Sequence, residues 1–157
     1  MKTLLLNIVL LFSSNLVNAI NINEFYQIFS SGSLSEINMY INTLDSEEQT
    51  PIISAYKGAL LMKKAGLEKT PIEKINTFKQ GHKLLEAEIA NEPNNIEFRF
   101  LRLVIQENAP IILKYNKNLT EDKLIIVNGF RNLGPTMQQE IEQYSKHSKI
   151  LTEKDIQ

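Results

Sequence analysis

The chain has 157 residues, no cysteine and a formal net charge of −1. A chain of this length is expected to form one domain, and the absence of cysteine excludes disulfides, thiolate metal sites and cysteine nucleophiles. The near-neutral charge provides no electrostatic basis for binding nucleic acid or an anionic membrane surface.

The first nineteen residues have the layout of a secretory signal peptide. Lys2 precedes an apolar stretch at residues 4–12, and Ala19 occupies the −1 position of a cleavage site. The apolar stretch is about half of the roughly 20 residues that a spanning helix needs, so a membrane anchor is the weaker interpretation. We therefore predict a signal peptide at 1–19 and a single domain at 20–157. The mature protein is expected to be exported, periplasmic or secreted, and to have no transmembrane segment.

Two helices are predicted at the start of the mature domain, because apolar residues recur there at spacings of three and four. Phe25 and Phe29 share a face of the first helix, which Gly32 is expected to end. Ser33 and Glu36 are spaced as a capping box, in which each side chain binds the backbone N–H of the other residue. This pair marks the start of the second helix.

The next two helices are predicted from threonine, proline and glycine signals. The third helix runs from about residue 47 or 51 to residue 65, and Gly66 is placed as its stop. The fourth helix has Thr70 as its cap and Pro71 in its first position. Glu73 completes a second capping box there.

The segment NNIEFRFLRLVIQENAP, residues 94–110, is predicted to be a helix that packs on several sides. Asn94 is expected to cap it, with Glu97 in its first turn. Thr120 is placed as the cap of the next helix, and a more polar helix follows the break at 134–135. The predicted fold is all-α. It is an array of about six to seven antiparallel helices, arranged as helical hairpins or as an irregular bundle.

One side of the 94–110 helix carries a polar stripe, while apolar residues cover the rest. The stripe consists of Asn95, Arg99, Arg102 and Gln106, which are the candidate binding residues. Arginines in such a place need carboxylates, because an unpaired buried charge is strongly destabilising. They either bridge helices through internal carboxylates, or line a groove and bind the carboxylate of a partner. The internal candidates are Glu86, Glu88, Glu92, Glu121 and Asp122, of which Glu88 is preferred.

One section of the chain resembles a tetratricopeptide repeat. In AYKGALLMKKAG, Ala59 stands at the small position of the first helix of the repeat, and in FKQGHKLLEAEIANEPNN Gly81 stands at that of the second. Glu88 departs from the pattern, which has alanine there. The 22 residues from Ala59 to Gly81 are about ten more than a standard hairpin has. The resemblance covers residues 55–95 and implies antiparallel helical hairpins.

A second likeness concerns the origin of the chain. Abundant Ile, Asn and Lys are typical of an AT-rich bacterial genome. The runs AYKGA, EPNNIE and RFLRL are similar to small exported helical proteins of unknown function from Gram-negative bacteria of the Bacteroidetes type. That likeness implies no particular activity.

Groups able to carry catalysis are few. His82 lies four residues before Glu86, a spacing that predicts an ion pair on a helix surface. His147 is expected to be solvated, and no third ligand or metal-binding motif accompanies His82. The three aspartates, Asp45, Asp122 and Asp155, are assigned to helix ends. No catalytic residue, metal or cofactor is therefore expected.

These observations favour an exported helical scaffold or adaptor that binds protein or peptide without catalysis. A second hypothesis is a small-ligand carrier or enzyme with a pocket at Arg99 and Arg102, assisted by Tyr56, His82 or Glu86. A third is a structural envelope component that covers exposed apolar surface by self-association.

Overall fold

The computed structural model describes residues 20–157, which contain eight α-helices, two 3₁₀ turns and no strand. The predicted all-α fold is confirmed. The predicted signal peptide, 1–19, lies outside the described residues. The helices are α1 Ile22–Ser31, α2 Leu34–Ser46, α3 Pro51–Leu67, α4 Pro71–Asn91, α5 Ile96–Asn108, α6 Leu119–Gly129, α7 Pro135–Ser145 and α8 Glu153–Ile156. The 3₁₀ turns are Ile111–Leu113 and Phe130–Asn132.

Both predicted capping boxes are present. The backbone N–H of Ser33 donates to the Glu36 carboxylate at 2.7 Å, while the Ser33 hydroxyl accepts from the Glu36 backbone N–H. Thr70 and Glu73 form the same reciprocal pair at the start of α4, with Pro71 in the first position. These local signals fix where α2 and α4 begin, because they satisfy N–H groups that have no partner within the helix.

Three predicted boundaries are wrong. Gly66 lies inside α3, which continues to Leu67, because no glycine in the described residues adopts the positive φ that ends a helix. The cap of α5 is Asn95, one residue later than predicted, and its side-chain oxygen accepts from the Phe98 N–H at 3.2 Å. The last helix before the break at 134–135 starts at residue 119, so Thr120 lies in the first turn of α6 and does not cap it.

The hairpin of α3 and α4 is held at very short range by two glycines. A methyl group on Gly58 would lie 2.8 Å from the Leu85 amide nitrogen and 2.9 Å from the Gly81 carbonyl oxygen. A methyl group on Gly81 would clash with the Gly58 carbonyl oxygen and lie 2.8 Å from the Met62 amide nitrogen. The two backbones therefore approach each other more closely than any larger residue permits.

Helix α5 lies at the centre of the fold. Its apolar residues join one core with α1, α2, α3, α4, α6 and α7. The side chains of this core that are at most 1% exposed include Phe25, Ile37, Leu44, Leu60, Leu85, Phe98, Leu101, Leu103, Ile126 and Ile141. Burial of each such side chain stabilises the fold by about 1.5–3 kcal/mol. Within residues 20–157, no helix is both long and apolar enough to cross a membrane.

Candidate functional site

The two arginines of the polar stripe converge on one buried carboxylate. Arg99 and Arg102 are 5% and 4% exposed, and Asp122 is fully buried. Arg102 donates from Nε to one oxygen of Asp122 at 2.8 Å and from Nη2 to the other at 2.6 Å. Arg99 donates from Nη1 to Asp122 at 3.0 Å. Asp122 thus fastens α6 to α5 through a bidentate contact and a third hydrogen bond.

Two further carboxylates join Arg99, Arg102 and Asp122, and we call these five residues the arginine cluster. Glu86 of α4 accepts from Arg102 Nη1 at 2.8 Å, and Glu121 contacts Arg99 Nη1 at 3.0 Å. Burial alone would lower the pKa of Arg102, but the carboxylates of Asp122 and Glu86 outweigh it and raise the pKa. No buried polar side-chain atom in residues 20–157 lacks a hydrogen-bond partner. The arginines therefore bridge α4, α5 and α6, as the structural alternative expects, and a carboxylate from outside would have to displace Asp122.

The carboxylates that pair with the two arginines do not include Glu88, the preferred candidate. Glu88 makes no ion pair with either arginine, because Glu86 occupies the side of α4 that faces α5. Asp122 does lie in the first turn of α6, as predicted. Its side chain turns into the interior and pairs with Arg99 and Arg102, so it is one of the candidate internal carboxylates.

The other two residues of the stripe have separate roles. Gln106, 2% exposed, donates from its amide to the Asn118 side chain at 3.3 Å and accepts from the Asn118 backbone N–H at 3.2 Å. It thereby fixes the chain where α6 begins. Asn95 caps α5 and binds Glu92, so it belongs to the helix end. A direct binding role for the four residues of the stripe stays a prediction.

An open cleft of about 410 Å³ lies beside the arginine cluster, between α4 and the segment that links α5 to α6. We call it the α4 cleft. Its lining residues are His82, Glu86, Gln106, Lys114, Tyr115, Lys117 and Asn118. Gln106 is the only residue of the polar stripe that lines this cleft. Tyr56, which the pocket hypothesis included, does not line it.

Tyr115 holds the linking segment against α4. Its ring packs edge-on against His82 at 4.9 Å and against Phe78 at 5.4 Å between ring centroids. Its hydroxyl donates to Glu86 at 2.5 Å, and burial raises the pKa of this hydroxyl. The predicted ion pair of His82 with Glu86 is absent, because Glu86 binds Arg102 and Tyr115 instead.

Exposed apolar residues directly precede the cleft-lining residues Lys114 and Tyr115 in the chain. The 3₁₀ turn Ile111–Leu113, which we call the isoleucine turn, leaves Ile111 and Ile112 each 87% exposed. Lys114 follows in the left-handed region, with φ of 50°. Among the exposed large apolar residues of the described chain, these two adjacent isoleucines are the most exposed.

A second carboxyl group, half-buried, has a role that escaped the sequence prediction. Glu97, placed in the first turn of α5, accepts hydrogen bonds from the hydroxyls of Tyr26 at 3.2 Å and of Tyr56. Burial raises the pKa of Glu97, although both hydrogen bonds act to lower it. Tyr26 and Phe25 share one face of α1, so this cluster ties α1 to α3 and α5.

We expect Glu97→Gln to stabilise the protein more at pH 7 than at pH 4. The folded-state pKa of Glu97 lies above its ordinary value, so the stability linked to this group is complete below the unfolded pKa and is lost as pH rises through the folded pKa. Glutamine removes that loss and keeps an oxygen for both tyrosines. Urea unfolding of the wild type and the variant at pH 4 and pH 7 measures the effect of the substitution on stability. The other carboxylates are the same in both proteins, so their contributions cancel. An equal effect at both pH values would contradict the assignment.

The control for this prediction is Glu97→Ala. It leaves the hydroxyls of Tyr26 and Tyr56 without their acceptor, at a cost of about 1–3 kcal/mol for each buried group. It should therefore destabilise the protein at both pH values, in contrast to glutamine.

No cluster of three or more histidines, cysteines or carboxylates in residues 20–157 is arranged to hold a metal ion. Comparison with known proteins adds no guide to the site. No protein family, no curated protein and no solved structure matches the chain.

Proposed function

We propose that the protein is an exported, non-enzymatic helical scaffold that binds a protein or peptide partner. The observation that carries the proposal is the isoleucine turn, which directly precedes two residues of the wall of the α4 cleft, Lys114 and Tyr115. Ile111 and Ile112 expose apolar surface where folding alone gains nothing from it. A cleft flanked by apolar side chains is a common form of peptide-binding site.

The neighbouring structure supports this proposal. Two hydrogen bonds hold the link between α5 and α6 in place. The Tyr115 hydroxyl donates to Glu86, and the Asn118 backbone N–H donates to Gln106. The isoleucine turn is therefore presented on a fixed base. A preorganised surface loses less conformational entropy on binding, which favours affinity.

The arginine cluster serves the same proposal indirectly. Arg102 holds Glu86 and Asp122 together, so it fixes the wall of α4 against the start of α6. The alternative function, a ligand carrier or enzyme with an Arg99 and Arg102 pocket, needs those guanidinium groups open to solvent. Their burial makes the scaffold the better-supported function.

The test uses a phage-displayed library of random peptides, panned on the purified protein. We expect an enriched peptide family whose binding weakens at least about tenfold in the double variant Ile111→Ser, Ile112→Ser, because each isoleucine loses contact area worth roughly 1.4 kcal/mol or more. Both side chains are exposed, so folding should be unaffected. The control is Met39→Ser, which removes an exposed apolar residue from α2, remote in sequence from the isoleucine turn.

Two outcomes would contradict the proposal. One is peptide binding that is equal in the wild type and the isoleucine double variant. The other is the absence of any enriched peptide together with a concentration-dependent mass in light scattering that the double variant abolishes. That second result would establish the self-associating structural component.

A further inference from the structure

The α4 cleft has a marked charge asymmetry. Lys114 and Lys117 line it and form no ion pair within residues 20–157. The single lining carboxylate, Glu86, is already engaged on both oxygens, by Arg102 at 2.8 Å and by Tyr115 at 2.5 Å. The cleft therefore offers two uncommitted cations and no uncommitted carboxylate.

The surroundings do not cancel this positive charge. The adjoining arginine cluster consists of two arginines and three carboxylates. With the two lysines the group has four cations and three anions, so its net charge is positive. From residue 108 to residue 120 the chain carries both lysines and no acidic residue. An anionic group in the cleft would thus meet attraction from Lys114 and Lys117.

Apolar groups lie close to these cations along the chain. The isoleucine turn ends at Leu113, next to Lys114, and the Tyr115 ring forms part of the cleft wall. The volume of about 410 Å³ falls in the range of sites for small ligands or a few residues of peptide. The ligand that fits has a carboxylate next to apolar side chains.

We propose that the α4 cleft binds the C-terminal carboxylate of a peptide whose last residues are apolar. Lys114 and Lys117 receive the carboxylate, and the isoleucine turn with Tyr115 contacts the apolar side chains. This inference rests on the proposed function and specifies its partner. Electrostatic complementarity of this kind selects among peptides more than it adds affinity.

The test compares N-acetyl-leucyl-leucine with its C-terminal amide, in chemical-shift titrations of the purified protein at low ionic strength. We expect the free acid to bind about fivefold to tenfold tighter, as suits ion pairs at a partly exposed site. Shifts should concentrate at residues 111–118. Added salt should narrow the difference, because it screens exposed charges.

Charge-removing variants complete the test. Lys114→Asn suits the left-handed backbone, since asparagine tolerates it, and Lys117→Gln changes an exposed side chain. Together they should bring the free acid to the affinity of the amide and leave the amide unchanged. The control Lys146→Gln, at the end of α7, should change neither.

Equal binding of acid and amide by the wild type would overturn the carboxylate inference and leave the scaffold function standing. Binding of neither probe would overturn it as well, while the peptide-library experiment decides the scaffold function independently. A preference for the acid that survives in the lysine double variant would place the carboxylate elsewhere.

Discussion

Asp122→Asn is expected to lower the free energy of unfolding by about 3–5 kcal/mol, the usual cost of removing one partner from a buried ion pair. The fully buried carboxylate accepts three hydrogen bonds from Arg99 and Arg102. Asparagine keeps the shape of the side chain, so the loss reports the charge and not a cavity. It also sets a side-chain amide against guanidinium groups, where two donors face each other.

Urea unfolding followed by circular dichroism measures this loss, and the absence of tryptophan makes that signal the convenient one. The matched control is Glu121→Gln, which neutralises the neighbouring carboxylate on the same arginine. Because the Glu121 side chain is 53% exposed, its loss should cost less than about 1 kcal/mol. Similar costs at the two positions would show that burial of the Asp122 contacts has no special weight.

Gly81→Ala is expected to destabilise the protein by about 3 kcal/mol, at the upper end of the cost of overpacking. Its added methyl group meets backbone atoms of Gly58 and Met62, which cannot rotate away as a side chain would. Alanine gains about 1 kcal/mol of helix propensity at most, too little to offset the clash. The hairpin of α3 and α4 must therefore open to admit the methyl group.

Gly66→Ala is the matched control for this prediction, and the opposite sign is expected. Gly66 also lies within a helix, but a methyl group there meets no atom within 4 Å. The helix propensity of alanine should then stabilise the protein by about 0.5–1 kcal/mol. Thermal unfolding of the two variants checks the contrast. A loss of similar size at both positions would exclude close backbone packing as the cause.

The sequence predicted those features that depend on residues close together in the chain. The capping boxes at Ser33 and Thr70 involve partners only three residues away, so the pattern contains the whole interaction. The polar stripe of α5 was likewise predictable, since helical geometry alone places Arg99, Arg102 and Gln106 on one side.

Local patterns placed the observed carboxylates among the candidate partners of the arginines but could not choose between them and Glu88. Asp122 lies 20 residues from Arg102, and Glu97 lies 71 residues from Tyr26. A carboxylate in the first turn of a helix is expected to serve the helix dipole, and only the packing of α6 and of α1 onto α5 gives these two their other roles. The left-handed turn at Lys114, which shapes the cleft, is also set by its tertiary anchors and not by its own residue type.

The sharing of Asp122 by two arginines has a consequence for how this chain can change by mutation. Because Arg99 and Arg102 share one fully buried carboxylate, the effects of replacing these three residues are not additive. An apolar residue in place of Asp122 removes the buried partner of both arginines, whereas apolar residues at all three positions together can be nearly neutral. The junction of α5 and α6 can therefore be stable with either a charged trio or an apolar trio at these positions. A series of single substitutions from the first to the second passes through a poorly folded protein.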